Sequence, residues 1–193
     1  MNRIYLASMG HLDADILEDL EEALTMHFGF ETRRHPPIAE PEHAYDPQRR
    51  QFSAVAFLQQ AVEHCPPEAV KMLTITERDL FIPMLSFVYG QAQLGGKVAV
   101  VSLAQLRQEF YGFPSDGDLL RERALKEMSH EMGHTFGLIH CPERLCIMSL
   151  STNIRHIDLK GSEFCGGCRA VLRENTAVTR AGGSEVLAWE ERL

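Results

Sequence analysis

The run His130-Glu131-Met132-Gly133-His134, continued by Thr135-Phe136-Gly137-Leu138-Ile139-His140, holds the densest set of reactive side chains in the chain. Residues four apart on an α-helix differ by only about 40° in direction, so His130 and His134 present neighbouring imidazoles able to share one Zn²⁺ at roughly 2.0–2.1 Å. Two ligands hold a metal loosely. Gly137 can take the left-handed conformation that ends a helix, which lets the chain reverse and bring His140 back as a third ligand. Three neutral nitrogens leave the ion its full charge and an open position, the condition for acidifying a water near neutral pH. Glu131 is then placed to take the proton of that water and pass it to a leaving amine, which is peptide-bond hydrolysis. A lone histidine at a helix end is ordinarily solvated or paired with the helix dipole. A chance match to the whole string, at this chain's own composition, is roughly one in ten thousand, which decides for metal.

A second donor set follows at once. Cys141, Cys146, Cys165 and Cys168 crowd into one stretch, and only Cys65 lies elsewhere. This spacing, closed by Cys165-Gly166-Gly167-Cys168, suits a Cys₄ structural zinc site in a reducing compartment; two disulfides or buried free thiols are the alternatives. Four thiolates leave no open position, so the expected role is folding, to which metal ligation contributes on the order of 10 kcal/mol at neutral pH. Because His140 and Cys141 are adjacent, the two ions are expected on the order of 10 Å apart, with the second site steadying the backbone that delivers His140. Met148, shortly after the third histidine, is expected to lie as a floor beneath the imidazoles without binding metal.

The elements that must position these groups are legible in outline. Residues 116–136 contain no proline and place Leu120, Ala124, Leu125, Met128, Met132 and Phe136 on one helical arc, predicting a long helix that carries the first two histidines. Upstream, residues 3–8 read as a strand, 13–24 as a helix with Asp13 as N-cap, and 28–34 as the returning strand of a β-α-β unit. A proline-marked loop follows, then a helix over 51–64 and strands over 70–76, 86–90 and 98–102, the last two as a hairpin or neighbours. Residues 138–193 read as turn-forming, with too few apolar side chains to build a core unaided.

Composition narrows the partners. The chain has 193 residues, 45% hydrophobic, with 27 acidic against 19 basic side chains and a formal charge of −8. One domain-sized core is possible at this length, and a nucleic-acid footprint or an anionic-membrane surface is not expected. Neither a membrane span nor a secretory signal is evident, so a cytoplasmic protein is expected.

With Gly137 between them, His130 to His140 resemble the metzincin zinc peptidases, and the further set Cys141, Cys146, Met148, Cys165 and Cys168 resembles the archaemetzincin family. Residues 76–90 are similar to the strands before the catalytic helix of that family. The resemblance implies an α/β (α+β) fold with a mixed twisted sheet, an active-site helix and a small zinc-stabilised C-terminal subdomain. It implies a single catalytic domain over 1–193, with an upper part (1–137) and a lower part (138–193). Two Zn²⁺ are implied, one catalytic and one structural, with peptidase or aminopeptidase-like action on a peptide or protein substrate. Residues 86–92 are the expected edge strand that pairs with substrate backbone. No tyrosine follows Met148 in the turn, so the stabiliser of the charged intermediate has no residue assigned; His156 is the nearest polar candidate.

The remaining features read as ordinary. Cys65 is expected to be a structural thiol, and His11, His27, His35, His43 and His64 share no metal spacing. Residues 45–51, with Arg49 and Arg50, read as a solvated helix start, with a substrate carboxylate as the functional alternative. Residues 185–193, with Trp189, read as a packed turn or a loose tail. The competing function is a catalytically silent, zinc-stabilised module that binds peptides in the cleft. Oligomeric state is not legible.

Overall fold

The computed structural model describes residues 2–182 and opens with the expected β-α-β unit. Strand β1 (Arg3–Ser8), helix α1 (Ala14–Phe28) and strand β2 (Glu31–Arg34) follow one another, with β1 and β2 parallel. Gly29, at φ 69°, ends α1 by donating its N–H to the Thr25 carbonyl, so Phe28 lies in the helix rather than in the strand expected over 28–34. The order continues with β3 (Tyr45–Asp46), β4 (Gln51–Ser53), α2 (Ala54–His64), β5 (Ala69–Thr76), β6 (Leu80–Phe81), β7 (Gly90–Ala92), β8 (Val98–Ser102), α3 (Gly117–Thr135), α4 (Ile154–Leu159) and α5 (Gly166–Arg180). The helix expected over 51–64 begins later, because residues 51–53 pair in a small sheet and Ser53 Oγ then caps α2 by accepting from Ala56 N–H.

The main sheet runs β2-β1-β5-β8-β7, its first four strands parallel and β7 antiparallel to β8 at the edge. Period-two alternation sends Ile4 and Leu6, Leu73 and Ile75, and Ala99 and Val101 to one face, where α1 and α3 cover them. Tyr5, Ala7, Met72, Val98 and Val100 face the other way, toward Phe57 and Ala61 of α2. Both faces being covered, the central strands are buried almost end to end, as parallel sheets require. This is the expected mixed α/β architecture. Of the stretch 86–90, only Gly90 joins the ladder; Val88 makes an isolated bridge to Leu80, and the chain before it crosses the rim of the cleft.

Residues 138–182 depart from the turn-rich expectation. They include α4 and a fifteen-residue α5, which buries Cys168, Val171, Leu172, Asn175 and Thr176 at helical spacing. The apolar residues of this region do not form a core of their own. Ile147, Ile157, Phe164, Val171 and Leu172 join the cluster under α1 and α3, and that recruitment is what a local count of apolar residues misses. No helix among the described residues is long and apolar enough to cross a membrane. The reading of 185–193 falls outside the described residues.

A buried cation ties β5 to the end of α3. Lys71 is 4% exposed, and its Nζ donates to the carbonyls of Thr135 (2.6 Å) and Gly96 (2.7 Å) and lies 4.8 Å from the centre of the Phe136 ring. Burial, helped by Lys97, lowers its pKa to about 8. Above that pH the unfolded chain binds a proton the folded one does not, so stability rises between about pH 8 and 10.5, by an amount on the order of 3 kcal/mol. Below about pH 8 both states are protonated and the contribution is flat. Urea unfolding of wild type and Lys71→Met across this range is expected to show that slope in the difference between them. Parallel profiles would mean that the ammonium is not desolvated.

Candidate active site and metal centre

Helix α3 starts where Asp116 caps it, accepting from Leu119 N–H at 3.0 Å, and stops where glycine permits. Gly137 has φ 83°, its N–H bonds the His134 carbonyl, and Leu138 N–H reaches back to Gly133, a Schellman closure. The chain therefore reverses directly after the second histidine, and the ring of His140 comes back to 4.9 Å from that of His134 and 5.3 Å from that of His130. One ligand atom from each of the three lies within 4.8 Å of the others.

Hydrogen bonding sets which nitrogen of two rings is available. His130 Nδ1 is 2.9 Å from the Ile147 carbonyl and His134 Nδ1 is 2.7 Å from the Leu138 carbonyl; a carbonyl only accepts, so Nδ1 carries the proton in both. Each Nε2 is then a lone pair, and the two stand 3.2 Å apart. Two acceptors facing each other repel unless a cation lies between them. Nitrogens bound tetrahedrally to one zinc ion would stand about 3.3 Å apart, so this donor pair fits that ion. Burial lowers the pKa of His130 far below its usual value and that of His134 to about 4; His140 is lowered too, by burial first and then by Lys160. All three are neutral at pH 7, the form that coordinates.

Glu131 is 7% exposed, and burial, reinforced by the carboxylate of Glu127 and opposed by Lys160, pushes its pKa well above the usual carboxylate range. It lines a cavity of about 330 Å³ together with His130, His140, Tyr89, Gly90 and Ser151. Gly90 is there for space: a Cβ at that position would fall 2.5 Å from Glu131 Cγ and 2.7 Å from the Val100 carbonyl. Gly133 is equally constrained, since its Cβ would fall 2.5 Å from Met148 Sδ. Met148, fully buried, thus lies directly against α3 between the two histidines, as a floor would.

The four thiols converge as well. Cys141, Cys146, Cys165 and Cys168 bring their sulfurs within 4.8 Å of one another, all four free of disulfides. Cys165 N–H points at Cys146 Sγ (3.3 Å) and Cys168 N–H at Cys165 Sγ (3.5 Å), donors that suit thiolates. Burial works against the charge at Cys146, yet the backbone N–H groups of Cys165 and Met148, with the neighbouring thiols, prevail and lower its pKa; burial and the neighbouring sulfurs raise that of Cys168. Four sulfurs gathered half in and half out of the core, competing for negative charge, are a donor set suited to a divalent cation. Cys141 N–H also donates to the Met148 carbonyl, joining this cluster to the floor of the histidine site.

The remaining candidates lie apart from these two clusters. His156 is exposed, bonded to Thr152, and lines a separate depression with Cys141 and Leu159. Arg49 holds the Leu85 carbonyl at 3.1 Å and stacks over Phe81, so it positions the loop at the rim. Cys65 is half-buried, its thiol pKa raised by burial. No other histidine joins a converging donor set among the described residues. The pair missed in sequence is Glu127 and Lys160, 2.6 Å apart and both buried; with the bidentate Arg123–Asp158 contact it locks α4 and the wall after Met148 onto α3. A charged residue at i−4 from Glu131 was the available signal, but its partner lies 33 positions away.

A mixed sheet above a helix that ends in converging imidazoles, with a buried glutamate between them, defines a zinc metallopeptidase. Residues 56–174 match the model of peptidase family M54. The archaemetzincin of Methanocaldococcus jannaschii is 40% identical over 172 residues, spanning 89% of this chain and 93% of that protein, and the archaemetzincin of Pyrococcus furiosus is 39% identical over 177, spanning 89% and 92%. The crystal structure of the Methanopyrus kandleri archaemetzincin superposes with a TM-score of 0.80 at 35% identity, covering 91% of this chain and 95% of that one. A zinc-dependent peptidase from Methanocorpusculum labreanum gives 0.77 at 31% identity, covering 88% and 99%. The chain belongs to family M54, the archaemetzincins.

Proposed function

We propose that this metallopeptidase cleaves peptide bonds in the cavity between Gly90 and Ser151, with Glu131 as general base. The observation that carries the proposal is the pair of facing, unprotonated Nε2 atoms of His130 and His134, joined by the imidazole of His140 and flanked by a desolvated carboxylate. His130, His134 and His140 would hold a catalytic Zn²⁺, which when bound supplies acidification of water and polarisation of the substrate carbonyl. Glu131 takes the proton from the attacking water at a carboxylate oxygen and delivers it to the departing amine. Burial strips its carboxylate of solvent, and Gly90 leaves the strand close enough to exclude water from its far side. The Nδ1–H bonds to Ile147 and Leu138 keep both rings in register throughout.

Cys141, Cys146, Cys165 and Cys168 would hold a second, structural Zn²⁺, giving two per chain. In this reading residues 1–137 supply the sheet and the first two histidines, and residues 138–193 the third histidine and the thiol cluster of one catalytic domain. Free thiols in this number suit a cytoplasmic setting. The aminopeptidase-like mode rests on the family resemblance. Removal of metal with a chelator is expected to abolish cleavage of a peptide library, and stoichiometric zinc to restore it. Within that library, acetylated N termini are expected to stop cleavage of the peptides that are cut when free. A zinc-loaded protein that binds peptides tightly and yields no product on long incubation would establish the silent binding module instead.

A further inference from the structure

A peptide carbonyl under attack by water gathers negative charge on its oxygen, and a hydrogen-bond donor from the protein stabilises that charge further. Glu131 accepts, and the Nδ1–H groups of His130 and His134 are already committed to backbone carbonyls. Of the hydroxyls on the cavity wall, that of Ser86 belongs to a solvent-exposed residue, Thr152 Oγ1 lies 3.3 Å from His156 Nδ1, and the Tyr89 hydroxyl is buried without a hydrogen bond but interacts with the Tyr111 hydroxyl. Ser151 carries the other buried hydroxyl of this wall. Its Oγ is buried and has no hydrogen-bond partner in the protein, although it stands on the wall of the cavity that contains Glu131, His130 and His140. A buried hydroxyl left unmet is costly, and such a group is explained when a reactant brings the missing partner. The wall that carries it is held rigidly, since α4, just beyond it, is clamped to α3 by Arg123–Asp158 and Glu127–Lys160.

We infer that Ser151 is a catalytic residue whose hydroxyl donates a hydrogen bond to the scissile carbonyl oxygen as charge develops there. The inference rests on the hydrolytic reading of the cavity. In the zinc-loaded protein, Ser151→Ala is expected to lower kcat roughly 10²-fold while leaving KM within about twofold and zinc content unchanged. Ser151→Thr, which keeps the hydroxyl, recovers most of the loss. A binding measurement needs no turnover. A phosphinic peptide, whose tetrahedral oxygens imitate the charged intermediate, is expected to bind Ser151→Ala roughly 10²-fold more weakly, whereas an ordinary peptide binds Glu131→Gln equally with and without Ser151. Cleavage by Ser151→Ala at the wild-type rate overturns the inference, and so does an equal loss of affinity for both ligands, which marks a structural role. If the wild type cleaves nothing, the hydrolytic reading fails, and the comparison of the two ligands still decides for or against Ser151 as the donor.

Discussion

Glu131→Gln is expected to reduce kcat by roughly 10²–10⁴-fold while metal content, measured by atomic emission on the purified protein, stays at the wild-type value. Glutamine preserves the shape that fits under Gly90, where a Cβ would already be 2.5 Å from Glu131 Cγ, so the packing of the edge strand is not disturbed. It removes only the basic oxygen. Because Glu131 is buried and its charged form is disfavoured by desolvation, the substitution is expected to cost little stability or to raise it. Equal cleavage by the two proteins would remove Glu131 from the reaction and assign the proton transfer to another group.

Cys168→Ala is expected to have the largest effect on stability. Cys168 is 3% exposed at the first turn of α5, and the side chains of that helix complete the core beneath α1 and α3. A structural zinc contributes on the order of 10 kcal/mol in small metal-dependent folds, more than the whole net stability of many domains. Metal per chain is expected to fall from two to one, with unfolding of the region after Leu138 seen as lost protection in hydrogen exchange. Cleavage should fall as well, because Cys141 follows His140 directly and its N–H is tied to Met148. In His134→Ala the count should also fall to one, with the thiol cluster and the fold retained. A stoichiometry unchanged by Cys168→Ala would show that the sulfurs hold no metal.

Legibility in the sequence followed the range of the interaction involved. The three histidines, the glutamate and the left-handed Gly137 act over a few residues, helical spacing alone brings His130 beside His134, and the four cysteines, though they form two pairs well apart, are legible because their residue type and crowding mark them. The central strands were equally readable, since burial on both faces leaves a continuous apolar run. Helix α5 was not: its buried positions, Val171, Leu172, Asn175 and Thr176, include two polar residues, and its apolar partners lie on α1 and α3. The segment 86–90 misled for the opposite reason, since its β-prone residues pair with almost nothing and instead form the wall of the cavity.

What the amino-acid order determined by itself is the set of donors: two groups of defined spacing, a glutamate adjacent to the first and a glycine that turns the chain between them. What only the tertiary structure decided is the environment of those donors. The closeness of Gly90 to Glu131, of Gly133 to Met148, of Glu127 to Lys160, and the stranded hydroxyl of Ser151 all join elements far apart in the chain. Their energies come from burial and close approach, which depend on neighbours that no local pattern of residues contains.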